Sequence, residues 1–336
     1  MARIMAGEIC PGCDTLEFEI IQKCYRKDTE AIQIFRNHGV LPMSSNCPKC
    51  NRHLLYYEQD TMWRCHGSTK IPNSRKRQKC GYKISDRTGT FLEKSHLAPW
   101  QVLLFANSWV RKHFSQETLK INLNMSYKTI TDWRSFCSEV TLNWQENLQE
   151  VLGGPGIVVE IDETVIVKRK YHKGRLLKEI WVFGGIERES KKCFAVELLA
   201  GFNLAELPRD DRVKRLPRDT DTLLPIIQRF IRPGSIIYSD GWGAYHSLSN
   251  NGYTHKTVIH EHNFINLIDP KVHTHTVERM WKDLKEWCVR PGIKSIYIHQ
   301  YISRWIFLRN RCPKKSLHDF LVECANLYPH GHREGP

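Results

Sequence analysis

The chain has 336 residues, 41% of them hydrophobic, with 50 Lys and Arg against 36 Asp and Glu for a formal charge of +14. That length favours two or three domains, and the apolar fraction excludes wholesale disorder. So basic a chain directs attention to polyanions, nucleic acid first, against the plainer reading of a charge-rich solubilising surface.

No run of residues reaches the ~18 apolar positions of a membrane span. The opening MARIMAGEICPGC lacks the apolar core of a signal peptide, so an intracellular setting with reduced thiols is expected. Seven of the twelve cysteines fall within residues 1–93. Clustered cysteines then suggest a metal, whereas the scattered Cys137, Cys193, Cys288, Cys312 and Cys324 read as small buried hydrophobes. Composition changes near residues 94 and 153, which divides the chain into a zinc-binding N-terminal region (1–93), a helical region (94–152) and a third domain (153–336) opening after the turn cluster LGGPG.

In the first region, Cys47-Pro-Lys-Cys50 is a tight pair, and Cys65 and Cys80 follow after fourteen intervening residues each. Thiolates two residues apart bind one tetrahedral ion readily, so these four are the candidate Zn²⁺ ligands, the alternative being reduced, merely buried thiols. The basic loop KIPNSRKRQK lies between Cys65 and Cys80; its SRKRQK run fits either a nuclear address or phosphate contacts. Cys10, Cys13 and Cys24 form a second set without a convincing fourth ligand, His38 being one weighed and usually a surface type.

Residues 115–140 read as helix-turn-helix. Ser115 caps a helix carrying Leu119 and Ile121, Asn124-Met125 makes the turn, and Ser126 caps a second helix with Ile130, Trp133, Phe136 and Cys137 inward. The outer side of that second helix offers Tyr127, Lys128, Thr131 and Arg134 to a DNA major groove. Helix pairs of this shape are also common as plain packing units.

The pattern then turns to strands. Residues 157–167, 179–187 and 193–200 are strand segments at hairpin spacing. A helix fits 219–231, with Asp219 or Thr220 as N-cap and Pro233-Gly234 as the stop. A short strand (235–240), a brief helix near Trp242–Leu248, a fifth strand (255–260), a long amphipathic helix (273–289) and helices near 295–310 and 315–327 complete the chain. Three strands, helix, strand, helix, strand, helix is the order of an α/β, ribonuclease H-like domain with a mixed five-stranded sheet, here preceded by a zinc-ribbon-like module and a helix-turn-helix.

EIDE places Glu160, Asp162 and Glu163 on an otherwise apolar strand, where unpaired carboxylates are costly and a cation is one remedy. Asp240 ends the strand IIYSD, and Glu278 sits on the long helix with Trp281 and Lys285 at i+3 and i+7. In such a sheet Asp162 and Asp240 are neighbours and the helix brings Glu278 across them. Three oxygen ligands so gathered suit Mg²⁺ or Mn²⁺ and phosphoryl transfer. Glu160 and Glu163 are left outside this set. Singly, each acid also has a plain reading as a turn cap or a solvated helix residue. Trp242 and Tyr245 read as core in preference to base-stacking residues.

VVEIDETVIVKRKYHKGRLLKEIWVFGGIER, DTLLPIIQRFIRPGSIIYSDGWGAYHSLSNNGYTHKTVIH and HTHTVERMWKDLK, with DRTGTFLEKSHL at 86–97, resemble the transposases of the Merlin superfamily and their bacterial insertion-sequence relatives over roughly residues 40–310. The resemblance implies a DDE catalytic triad, mapped by motif onto Asp162, Asp240 and Glu278, with the lysine seven residues on at Lys285, and it supports a zinc-ribbon-like module at the cysteines. The segment 202–218 is longer than the family's usual connection. The expected activity is cleavage at terminal inverted repeats and joining of the ends to target DNA, by a dimer or higher assembly, in the nucleus of a eukaryotic host or otherwise the nucleoid. The competing readings are a DNA-binding protein that has lost catalysis and a structure-specific nuclease on the same fold.

Overall fold

The computed structural model describes residues 17–70, 75–111, 115–147, 149–166, 180–198, 216–258, 272–288 and 297–329. They fall into two compact units, one of residues 1–140 with 312–336 and one of residues 141–311. The expected boundary at 153 therefore differs from the division found, for two reasons. Helix α5 (Tyr127–Asn147) runs continuously past residue 140, and the C-terminal segment packs with the N-terminal residues.

In the first unit, helices α1 (Glu17–Cys24) and α2 (Asp28–Asn37) precede a small three-stranded sheet of β1 (Leu55–Tyr57), β2 (Met62–Arg64) and β5 (Lys83–Ser85). A separate hairpin pairs β3 (Ser68–Lys70) with β4 (Arg77–Lys79). Helix α3 (Pro99–Arg111) is buried on every side from Val102 to Val110, as a helix at the centre of a bundle must be. Around it lie α1, α2, α4 (Gln116–Leu123) and α9 (Ser316–Leu327). Phe320 of α9 packs edge-on against Phe91 and lies 5.3 Å from the Trp109 ring, which is why the C-terminal helix belongs to this unit. His38 is buried here, not on the surface: its Nδ1 lies 2.6 Å from the Ile34 carbonyl and its Nε2 3.0 Å from Nδ1 of the buried His318.

The second unit is built on a five-stranded sheet in the order β10-β9-β6-β7-β8. Strands β6 (Val158–Val165), β7 (Trp181–Glu187) and β8 (Cys193–Glu197) are consecutive and antiparallel, whereas β9 (Ile236–Asp240) and β10 (Thr254–Val258) run parallel to β6. Period-2 alternation sorts the side chains of β6. Val159 and Ile161 point into a core shared with Phe183, Phe194 and the apolar face of α6 (Thr220–Phe230), whose N-cap Asp219 accepts from the Thr222 amide. Glu160 and Asp162 therefore point to the opposite face, where α7 (His275–Cys288) lies on β6 and β7. That helix buries Val277, Met280, Trp281, Leu284, Trp287 and Cys288, a spacing of three and four that makes one continuous stripe. Helix α8 (Ile298–Arg309) packs on β8.

Three expectations need correction. The segment after β9 forms two 3₁₀ turns, Gly243–Tyr245 and Leu248–Asn251, in place of one helix. Phe136, expected to face inward, is exposed because it lies on the outer side of a helix whose inner side is already filled by Ile130, Trp133 and Cys137; Ile121 of α4 is exposed as well. Cys312, in a turn before α9, is exposed, whereas Cys137, Cys193, Cys288 and Cys324 are buried as expected. The long segment 202–218 lies outside the described residues up to 215, as do Cys10 and Cys13.

Gly184 of β7 is crowded both by the neighbouring strand and by α7. A Cβ there would meet the Phe194 carbonyl oxygen at 2.4 Å and the Trp281 ring at 2.7 Å. Gly184→Ala must therefore push Trp281 off the sheet, and we expect a loss of roughly 1–3 kcal/mol, read as a lowered denaturant midpoint at unchanged slope.

Candidate functional site

The parallel pairing of β6 with β9 runs Val158 to Ile236, Val159 to Ile237 and Glu160 to Tyr238. Continued by two residues, that register sets Asp162 beside Asp240. Asp240 closes its strand, and its carboxylate accepts from the Trp242 amide at 3.1 Å. Asp162 accepts from the indole N–H of Trp281 at 3.0 Å, so α7 reaches it directly. Burial pushes the Asp162 carboxyl up to about 7, with the charges of Glu163 and Asp240 adding and the Glu163 amide and the Trp281 indole opposing. Glu163 is also raised by burial and by Asp240. Its carboxyl lies against the fully buried Tyr245 hydroxyl without a well-formed hydrogen bond.

The acids brought together are thus Asp162, Asp240 and Glu163. Glu278 stands apart from them. It is exposed in the first turn of α7, accepts from the Thr274 hydroxyl at 3.4 Å, and lines an open cleft of about 760 Å³ with Lys191, His275, Thr276, Arg279, Lys282 and Arg309. Trp281 is buried and Lys285 half-buried one and two turns further on. Of the remaining sequence candidates, Tyr245 is core as expected, but Trp242 is 45% exposed. Its indole donates to the Arg218 carbonyl at 3.0 Å, and the Arg218 guanidinium lies 3.7 Å from the Trp181 ring centre, so the ring serves the turn after β9 and not the interior.

Glu160, left aside by the sequence reading, is fully buried and fully engaged. One carboxylate oxygen accepts from Arg188 Nε at 2.6 Å, and the other from the amides of Thr276 and Val277 at 2.8 and 2.9 Å. Its place on the Asp162 face was readable from alternation; Arg188 in a hairpin turn carried no such signal.

Asp162, Glu163 and Asp240 feel one another's charge, but among the described residues only Cys47, Cys50, Cys65 and Cys80 bring three or more ligand atoms within 4.8 Å of one another. Asp162 and Glu163 hold protons too tightly because burial and mutual repulsion disfavour their charges, and an ion relieves both. The sign follows for the metal-free chain. A carboxyl raised from 3.8 to about 7 adds stability in full below about pH 4 and loses it as pH rises through 7. Asp162→Asn keeps an acceptor for Trp281, so without divalent ions its thermal midpoint should exceed wild type at pH 8 and lose that advantage by pH 4.

In the first unit the four predicted thiols converge, with all four Sγ atoms within 4.8 Å of one another, Cys47 to Cys80 at 3.5 Å and Cys50 to Cys65 at 3.3 Å. The loose spacing between Cys65 and Cys80 is explained by β3 and β4, whose pairing returns the chain so that the Cys80 amide donates to Gly67. Burial raises the Cys47 thiol, but the Lys49 and Cys50 amides and the neighbouring thiols outweigh it and bring it to about 7. This geometry could hold zinc, whose ~2.3 Å bonds to four sulfurs suit such a group. Gly67 is crowded: a Cβ there would meet Arg52 Cδ at 2.8 Å, Cys50 Sγ at 3.0 Å and Cys65 Sγ at 3.3 Å, so the sulfurs would have to shift. Gly67→Ala should weaken binding of Co²⁺, used as a spectroscopic substitute, roughly tenfold or more, read from the thiolate charge-transfer band. Cys24, outside this group, is a buried thiol raised to about 11 by burial.

Helices α4 and α5 form the expected pair, with Ser115 accepting from Thr118, Ser126 from Thr129, and Asn124 in the left-handed region at φ 49°. Tyr127, Lys128 and Thr131 are exposed on α5, and Arg134 is half-buried. Tyr127 donates to Glu117, and Lys120 lies over its ring, so that tyrosine is partly committed to its own helix pair.

Residues 151–310 match the family model of the ISXO2-like transposase domain. No curated protein matches the chain. Among solved structures, a chain in the cryo-EM structure of the simian T-cell lymphotropic virus intasome with the PP2A regulatory subunit B56 gamma matches at 17% identity, covering 60% of this chain and 67% of that one, at a TM-score of 0.28. A likeness at that score carries no argument. The family match does: over residues 151–310 the chain carries a domain of the ISXO2-like transposase family.

Proposed function

We propose that the chain is a DNA transposase in which residues 153–311 form a ribonuclease H-like catalytic domain and Asp162, Asp240 and Glu278 hold Mg²⁺ or Mn²⁺. The observation that supports this best is the juxtaposition of Asp162 and Asp240 on adjacent parallel strands, with α7 bonded to Asp162 through Trp281, inside a transposase-family domain. Two ions bound there supply activation of a water or 3′-hydroxyl and stabilisation of the leaving oxygen. The protein's own part is positional. Trp281 fixes the Asp162 carboxylate, the Trp242 amide fixes Asp240, and Lys285 on α7 steadies a phosphate. Glu278 is the third carboxylate, offered from the turn before Trp281.

DNA recognition belongs to residues 1–150. The zinc-ribbon-like module, with Zn²⁺ on Cys47, Cys50, Cys65 and Cys80, and the α5 side chains Lys128, Thr131 and Arg134, with Tyr127, bind the terminal inverted repeats. Joining two ends calls for a dimer or larger assembly. In a eukaryotic host the substrate lies in the nucleus. Among the described residues no helix is long and apolar enough to cross a membrane.

Asp162→Asn, Asp240→Asn and Glu278→Gln should each reduce Mg²⁺- or Mn²⁺-dependent cleavage by several orders of magnitude while inverted-repeat binding is retained. Lys285→Ala should slow cleavage or joining and spare binding. Repeat binding by wild type without cleavage under any divalent ion would leave the non-catalytic DNA-binding reading. Full cleavage by the three acid variants would place the active site elsewhere. Cys47→Ser with Cys50→Ser should abolish repeat binding, and wild-type binding should weaken steeply with salt as counterions are released.

A further inference from the structure

Glu160 spends three of its roughly four lone-pair directions on named partners, and those partners belong to two different parts of the domain. Arg188, just past the end of β7, donates through Nε to one oxygen at 2.6 Å. The other oxygen receives the Thr276 and Val277 amides, two of the first-turn donors that no α-helix can satisfy internally. Arg188 is itself tied down. Its Nη2 donates to the His273 carbonyl at 2.8 Å and lies 2.9 Å from the His273 ring, its amide donates to Val158, and its guanidinium lies over Tyr238 of β9. The chain entering α7 is therefore clamped to β6, β7 and β9 at once.

Two carboxyl groups of β6 attach α7 to the sheet through three hydrogen bonds. Glu160 holds the helix at its first turn, and Asp162, two residues on, holds it at Trp281. Glu278 lies on the helix between those two attachments. One attachment alone would leave the helix able to slip. A one-residue slip moves it about 1.5 Å and turns it by about 100°, which carries Glu278 to a different face.

We propose that Glu160, braced by Arg188, is a positioning residue that sets the axial and rotational register of α7 on β6, and with it the placement of Glu278 and Trp281 relative to Asp162. The inference rests on the catalytic reading for its consequence but not for its geometry. Glu160 is fully buried and three of its lone-pair directions are taken by Arg188 and the two amides, so its contribution passes through the helix. The lock is built from a charged hydrogen bond and two helix-terminal amides in a dry setting, and both gain from low local polarity.

The test uses the full chain with Glu160→Gln and Arg188→Lys. The first keeps the shape of the side chain but sets an amide against Arg188. The second keeps the charge but gives up the fork that reaches both Glu160 and His273. Three readouts are followed: the ¹⁹F resonance of Trp281 in fluorotryptophan-labelled protein (assigned with Trp281→Phe), Mn²⁺ affinity from the paramagnetic resonance of free Mn²⁺, and the Mn²⁺ concentration at half-maximal cleavage. Each variant should shift the Trp281 resonance and weaken Mn²⁺ binding and half-saturation by about tenfold or more, as loss of a ligand-orienting group does, while inverted-repeat binding stays within twofold of wild type. A lower thermal midpoint with the Trp281 resonance and Mn²⁺ affinity unchanged would reduce Glu160 to a stability residue and overturn the proposal. If Glu160→Gln does not fold, Arg188→Lys decides alone on the same readouts. Should wild type neither bind Mn²⁺ nor cut DNA, the catalytic reading fails while the Trp281 resonance still decides whether Glu160 sets the helix.

Discussion

The second unit depends on how three carboxyl groups are accommodated on one interior strand. β6 sits in the middle of the sheet, with β9 on one side and β7 on the other, and still carries Glu160, Asp162 and Glu163. A carboxylate removed from water costs several kcal/mol unless it is paired or neutralised. Each of the three meets that cost differently. Glu160 has an ion pair and two amides, Asp162 keeps its proton to about pH 7 beneath an indole donor, and Glu163 shares the far face with Tyr245. Alternation decides which solution each can use, because only the Glu160 and Asp162 face meets α7.

The small cysteine module solves a different problem. Three strands of three residues each cannot bury much apolar surface, and their core consists of Leu54 and Trp63 beside the buried sulfurs of Cys47 and Cys65. Tyr56, Tyr82 and Ile84 cover these from the sides. Four thiols where a larger domain would place leucines are poor packing by themselves, but an ion binding all four would draw the two knuckles together. Gly67 is the geometric price of that arrangement, since a Cβ there would crowd two sulfurs.

Much of this was legible in the sequence because period and punctuation agreed. The order of strands and helices from 157 to 327 is found within a few residues of expectation, down to Asp219 as the cap of α6. EIDE on an apolar strand announced a charged interior site, and CPKC announced one half of a thiol cluster. Other features were illegible for physical reasons. Nothing local tells that β3 and β4 pair and return Cys80 towards Cys65, since β4 is an exposed Arg-Gln-Lys with no apolar alternation. Trp242 was read as interior because large aromatics usually are, but Arg218 supplies its contact at the surface. Arg188 lies in a polar turn and looks solvated until the fold brings Glu160 and His273 to it.

Charge is also separated across α7. On one side lie Asp162, Glu163 and Asp240, acids whose charges oppose one another. Beyond the first turn, Lys191, Arg279, Lys282 and Arg309 line a cleft with Glu278 as the acid among them, Arg309 being also paired to Asp283. One helix thus separates a cleft lined mostly by cationic side chains from a group of acids. Because Glu160 and Trp281 set where that helix lies, the same three hydrogen bonds that join it to β6 also fix the distance between the cleft and the acids.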